Sequence, residues 1–212
     1  MAPVIYVLST FLGATIILPL VWRWASRGHS LPCPAWLRWL VELDSPFLRS
    51  NRASVIVEQL ALQPGMRVLD VGCGPGRLTV PMAKKVGPQG EVVGIDIQPR
   101  MLARAQEKAR QAGLHNVSFH EVKMGNGKLN FGQFDLAVLV NVLGEIPERE
   151  GALAEIFRVL KPGGLLSVTE IILDPHFQGR GTVLRLAGAA GFREEAFLGS
   201  RFAFTLHLQK PL

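Results

Sequence analysis

Cysteine is nearly absent from this chain: Cys33 and Cys73 are the two among 212 residues. So few exclude a disulfide framework. Within a net charge of +6 there is no run of basic residues and no aromatic interleaving. The electrostatic footprint of a nucleic-acid binder is therefore missing, and no nucleic-acid partner is expected. No internal repeat, low-complexity tract or metal-binding constellation occurs either. The length suits one domain of ordinary size plus an appendage.

Charge is also missing from one particular place. Val4 to Trp22, VIYVLSTFLGATIILPLVW, holds no charged residue over 19 positions. At about 1.5 Å per residue, that helix would come close to the thickness of a bilayer core. The stretch lacks the basic start and small-residue cleavage site of a signal peptide, which predicts a retained anchor over residues 1–24. Arg23, Arg27 and Arg38 follow it and nothing basic precedes it, so the carboxyl side is predicted to face the cytoplasm. All four tryptophans, Trp22, Trp24, Trp36 and Trp39, fall in this region. Two readings of residues 25–50 stand side by side. PAWLRWLVEL lies along the membrane interface, or its tryptophans pack on the following domain.

From Asn51 onward the pattern changes to strands alternating with helices. Buried-strand runs cover 67–71, 91–97, 117–122, 134–140 and 165–173. Helical patterns cover 51–62, 76–86, 99–112, 148–160 and 182–190. A closing antiparallel pair is expected over 195–198 and 202–208. The alternation predicts an α/β sheet, with ligands beyond the carboxyl ends of its strands.

One such end carries VLDVGCGPGRL, residues 68–78, with Gly72, Gly74 and Gly76 between a strand and a helix. A P-loop would need a Lys-Ser or Lys-Thr pair after the glycines, and none is present. The dinucleotide fingerprint would need glycine where Arg77 stands. Asp70 would repel a pyrophosphate and suits a cationic amino group instead. Asp96, ending the second strand, suits the two hydroxyls of a ribose. The pair points to a nucleoside carrying an amino acid. Cys73 supplies a small side chain inside the loop.

VLDVGCGPGRLT, VVGIDIQPRMLARAQ, FDLAVLVNVLGEIPERE and EIFRVLKPGGLLSVTE, in that order, resemble the successive motifs of class I S-adenosylmethionine-dependent methyltransferases. The subgroup resembled includes small-molecule, quinone and phospholipid methyltransferases. The likeness covers residues 51–212. It implies a doubly wound, Rossmann-like α/β fold: a seven-stranded, mostly parallel sheet with an antiparallel terminal strand, here preceded by a transmembrane helix. It implies S-adenosylmethionine as cofactor, held by Asp70, Gly72, Cys73, Gly74, Gly76 and Asp96. Ile97 and Met124 would sandwich the adenine, and Asn141 would complete the site. EVKMGNGKLN lacks an acid often found there in the family, and Gly144 stands where many relatives have histidine.

A sulfonium methyl is already activated, so a base matters only when the acceptor must lose a proton. Glu145, Glu170 and His176, with Asp174, are the candidates near the strand ends. Each also has a structural alternative as a helix cap, a paired strand-end carboxylate or turn chemistry. Only DPHFQGRG separates the fifth strand from its helix, so no large lid is expected. An open site beside an anchor suits a lipid-like or amphipathic acceptor presented by the membrane.

With residues 1–24 spanning the bilayer, the full-length protein stays with membranes through high-salt and alkaline washes, because apolar burial holds it. Extraction by salt alone would overturn the anchor.

Overall fold

The computed structural model describes residues 52–127 and 129–212. The anchor and interfacial segments expected over residues 1–24 and 25–50 lie outside the described residues. Among the described residues no helix is long and apolar enough to cross a membrane.

The chain runs α1 (Ala53–Gln59), β1 (Arg67–Val71), α2 (Thr79–Val86), β2 (Glu91–Asp96), α3 (Pro99–Gln111), β3 (Val117–Glu121) and β4 (Phe134–Val140). It continues through a 3₁₀ turn (Leu143–Glu145), α4 (Arg149–Val159), β5 (Leu160–Ile171), α5 (Arg180–Ala189), β6 (Arg193–Ser200) and β7 (Ala203–Gln209). One seven-stranded sheet has the order β3-β2-β1-β4-β5-β7-β6. Strands β1 to β5 pair in parallel, and β7 is antiparallel to both β5 and β6. The antiparallel strand is thus the last in sequence but sits inside the sheet, leaving β6 at the edge.

Strand periodicity sorts the core onto two faces. In β4, Leu136 and Val138 join Val68 and Val92 beneath α1 and α2, where Ile56, Met82 and Val86 are fully buried. Ala137 and Leu139 point the other way, toward Leu153 and Ile156 of α4 and Val183 of α5. Both faces being covered explains why FDLAVLV has no polar alternation. The chain leaves β1 toward α2 on one face and β4 toward α4 on the other. The crevice between the two departures is the switch point at which such sheets bind ligands.

Of the boundaries that differ from the sequence expectation, two have identifiable reasons. Helix α2 begins at Thr79 instead of Gly76, because Gly76 has φ +76°, a left-handed conformation no helix accommodates. Lys161-Pro162-Gly163-Gly164 does not precede β5 but bulges from it. Phe134 pairs with Leu160, and the register resumes at Leu136 with Leu165. Lys161 Nζ, 2.5 Å from Asp135 Oδ1, holds the bulge against the start of β4.

Leu153 is fully buried at the centre of the face covered by α4. Leu153→Ala is expected to lower unfolding free energy by about 2–5 kcal/mol in denaturant titration, through lost burial and a residual cavity.

Candidate functional site

The loop after β1 is clamped to the end of β2: the Gly72 and Cys73 N–H groups both donate to Ile95 O, at 2.8 and 3.0 Å. Its three glycines serve three different needs. A Cβ on Gly72 would lie 2.5 Å from Val142 Cγ2, so the side chain following β4 fills the space where one would stand. A Cβ on Gly76 would lie 3.0 Å from that of Ala105, which lets the loop pack directly on α3. Around Gly74 a Cβ would meet nothing within 4 Å. Gly74 presents bare backbone to open space, at φ +52°.

The Gly74 N–H donates to Asp96 Oδ2 at 2.9 Å, and the Gln98 N–H donates to Asp96 Oδ1 at 2.8 Å. Each carboxylate oxygen therefore keeps a lone pair for a ligand. Burial raises the Asp96 pKa, against the lowering effect of these backbone hydrogen bonds. Asp96 lines a cavity of about 440 Å³ over the carboxyl ends of β1, β2 and β3. Of the residues expected from sequence, Gly72, Ile97, Met124 and Glu145 share that lining. Ile97 is 45% exposed and Met124 only 5%, so the apolar surfaces offered to a flat ring are unequal. A broader depression of about 610 Å³, near Lys84 and His115, lies at the opposite ends of the strands, away from these carboxylates.

Other expected residues stand behind the wall. Asp70 is buried, and its Oδ2 accepts a 2.5 Å hydrogen bond from Thr79 Oγ1 at the start of α2. Burial, reinforced by Asp96 and opposed by the Thr79 hydroxyl and Arg77, pushes its pKa up to about 6. Cys73 is buried beneath the loop against Gly94, and burial followed by the charge of Asp70 pushes its thiol pKa up. Asn141, at φ +56°, joins β4 to β5: its N–H donates to Thr169 O and its Oδ1 accepts from the Ile171 N–H. Asparagine tolerates that left-handed backbone better than most side chains.

Glu145 and His176 meet where the segment after β5 crosses the turn after β4. His176 Nδ1 is 3.9 Å from both Glu145 Oε1 and Asp174 Oδ1. A Cβ on Gly144 would collide with the His176 carbonyl, so no side chain fits at that position. Glu170 Oε2 accepts the Gln178 N–H at 2.9 Å, and the side chain is 1% exposed. Burial is the main reason its pKa rises to about 8. Asp174 and Glu145 add to the effect, and the Gln178 hydrogen bond and Arg149 oppose it.

The structure adds lining residues that the sequence expectation lacked, among them Gln98, Glu121 and Ile146. Glu121 ends β3 directly beside Asp96 in the register, a position that strand-end reasoning could have selected. Among the described residues no group of three or more potential ligands is placed to hold a metal ion.

A family model described as a methyltransferase domain matches residues 62–187. A demethylmenaquinone methyltransferase of Listeria welshimeri is 40% identical over 111 residues, 51% of this chain and 46% of the relative. An arsenite methyltransferase of Aquipseudomonas alcaligenes is 33% identical over 148 residues, 66% of this chain and 43% of the relative. The chain thus spans about half the length of these relatives. In fold it is similar to an S-adenosylmethionine-dependent methyltransferase from Aquifex aeolicus, with TM-score 0.75 and 24% identity over 84% of this chain and 99% of that one. It is also similar to a magnesium protoporphyrin IX methyltransferase from Synechocystis solved with S-adenosylmethionine bound, with TM-score 0.64, 21% identity and coverage of 82% and 88%. With the family model matching more than half of its residues, the chain belongs to the methyltransferase domain family, the class I S-adenosylmethionine-dependent methyltransferases.

Proposed function

We propose that the protein transfers the methyl group of S-adenosylmethionine to a small amphipathic acceptor that gives up a proton. The observation carrying this reading is Asp96, fixed by two backbone N–H groups at the edge of a 440 Å³ cavity, with bare Gly74 backbone beside it. Asp96 would hold the ribose hydroxyls, Ile97 and Met124 the adenine, and the space at Gly74 the amino-acid portion. Asp70, tied to Thr79, supports the loop from beneath and contributes its field to the amino group. When bound, the cofactor supplies an activated sulfonium methyl for in-line displacement by an aligned acceptor.

Glu145 is the carboxylate that would take the acceptor's proton. It lines the cavity, and the His176 Nδ1 lies 3.9 Å from its Oε1. Glu170, with its pKa near 8, is largely protonated at neutral pH and is a poor base there. The acceptor's chemistry follows from the same surroundings. Arsenic(III) is thiophilic, yet Cys73, the one cysteine among the described residues, is buried with its thiol pKa raised. A hydroxyl or carbon acid, as in a quinol-like molecule, suits a carboxylate base better. Ile172, Leu173 and Phe202 are exposed at the end of β5 beside the His176 segment and would receive an apolar tail. The uncharged stretch Val4 to Trp22 would bring that site to a membrane carrying such an acceptor, with the catalytic domain on the cytoplasmic side.

Methyl-label transfer to a membrane lipid extract tests the proposal. Label in an extractable lipid is expected. Label confined to water-soluble products would overturn the lipid-like acceptor, and cofactor binding without any transfer would overturn catalysis.

Asp96→Ala is expected to weaken S-adenosylmethionine binding by about 1–3 kcal/mol in calorimetry, because the ribose hydroxyls lose a charged acceptor. Glu145→Gln is expected to lower kcat on the order of 10²–10⁴-fold with a protonated acceptor.

Glu170 gives a separate signature in stability. A carboxyl with a raised folded-state pKa is most favourable to folding below its unfolded pKa, and stability falls as pH rises toward about 8. Glu170→Gln should flatten that decline in melting temperature between about pH 5 and 8, while retaining an acceptor for the Gln178 N–H.

A further inference from the structure

Among its described residues the segment between β3 and β4 forms no helix or strand, yet Lys123 and Met124 at its start form one wall of the cavity. Its backbone polar groups need partners, and a carboxylate from the helix beneath it supplies two of them. Glu155 of α4 is 4% exposed. Its Oε2 accepts the Gly125 N–H at 2.9 Å, and its Oε1 accepts the Gly127 N–H. Gly125 and Gly127 have φ of +87° and +73°. Left-handed residues in a short turn gather N–H groups into a concave anion-binding nest, and here the anion is a side chain of the protein itself.

The fit around that nest is close. A Cβ on Gly125 would lie 2.5 Å from Glu148 Cβ, and one on Gly151 would lie 3.1 Å from Gly125 O. Both glycines let the segment sit directly on α4. A second tether lies further along, where Arg158 Nη2 donates to Leu129 O at 3.1 Å. Glu155 is the tether next to Met124, whereas Arg158 holds the part leading away from the cavity. A buried carboxylate bound to two N–H groups resists displacement more strongly than neutral contacts do. Small displacements of a binding wall cost affinity even when the fold survives.

From this geometry we infer that Glu155 is a positioning residue for the cofactor: it sets the Met124 wall of the adenine pocket from the opposite side of the loop. The inference rests on the cofactor reading above. A glutamine at 155 has one acceptor oxygen for two N–H donors, and its own NH₂ would face the second.

The test is calorimetry with S-adenosylhomocysteine on the full chain. Binding by the wild type establishes the cofactor reading independently, and its absence sinks that reading and this one together. Glu155→Gln is expected to raise Kd by about 10- to 100-fold. The KM for S-adenosylmethionine should rise in parallel, with kcat at saturation within about twofold of wild type. Arg158→Met should lower the melting temperature without changing Kd, since it frees the segment beyond the cavity wall. Unchanged affinity in Glu155→Gln, or an equal loss of affinity in Arg158→Met, would overturn the positioning role while leaving the cofactor reading in place. Where Glu155→Gln does not fold, Gly127→Ala takes its place. A Cβ there meets nothing within 4 Å, so only the left-handed turn is strained. It should raise Kd in the same direction, and an unchanged Kd would equally overturn the inference.

Discussion

The site depends on one carboxylate held by backbone. Asp96 joins the end of β2 to the loop after β1 through the Gly74 N–H and to the start of α3 through the Gln98 N–H. These bonds fix three chain segments around a single charge. They also keep that charge from becoming an unsatisfied buried group, which would be costly beneath a partly closed cavity. With the carboxylate in place, the glycine loop has a defined height above the sheet, and the open space at Gly74 has a floor. Without it, the Gly74 and Gln98 N–H groups would need water, and only the Gly72 and Cys73 N–H groups would hold the loop to β2.

The same principle recurs at lower levels of the site. Asp70 holds the Thr79 hydroxyl at the start of α2, Asn141 holds the Ile171 N–H, and Glu155 holds two glycine N–H groups of the segment packed on its helix. Each is a polar side chain that serves a place where regular hydrogen bonding stops. Strand ends and loop turns leave backbone groups unpaired, and buried ones are nearly always paired by other means. A ligand site at a topological switch point therefore brings a supporting shell of fixed polar groups with it. Asp70, Cys73 and Asn141, expected at the cofactor, do not line the cavity and make contacts of this supporting kind.

That distinction marks the limit of what the sequence revealed. Strands β1 and β4 were legible to the residue, because RVLDV and FDLAVLV are short apolar runs buried on both faces. Asp96 and Gly74 were legible because strand-end placement and an interrupted glycine motif both follow from local order. Gly76 was legible as a loop glycine but not as the contact with Ala105, since α3 arrives from elsewhere in the chain. The bulge in β5 was hidden because Lys-Pro-Gly-Gly reads equally as a stop, and only pairing of Leu160 with Phe134 decides it. Glu155 was invisible for a deeper reason. On an amphipathic helix it looks like one more polar position, and its burial arises from the loop folded onto it.

On the proposed reading, the cofactor half and the acceptor half of the site are built from different materials. Around Asp96 the donors are backbone N–H groups, whose positions follow from strand pairing and tolerate many side-chain changes. Beside Glu145 the arrangement depends on side chains of the segment after β5, where His176, Asp174 and Glu170 approach one another. Gly144 has no room for a side chain because the His176 carbonyl lies against it, so the two segments fix each other's course. On the proposed reading, the fold's backbone would set the methyl donor, and a short, locally packed segment the acceptor. Relatives named for acceptors as unlike as a quinone and arsenite are consistent with that division.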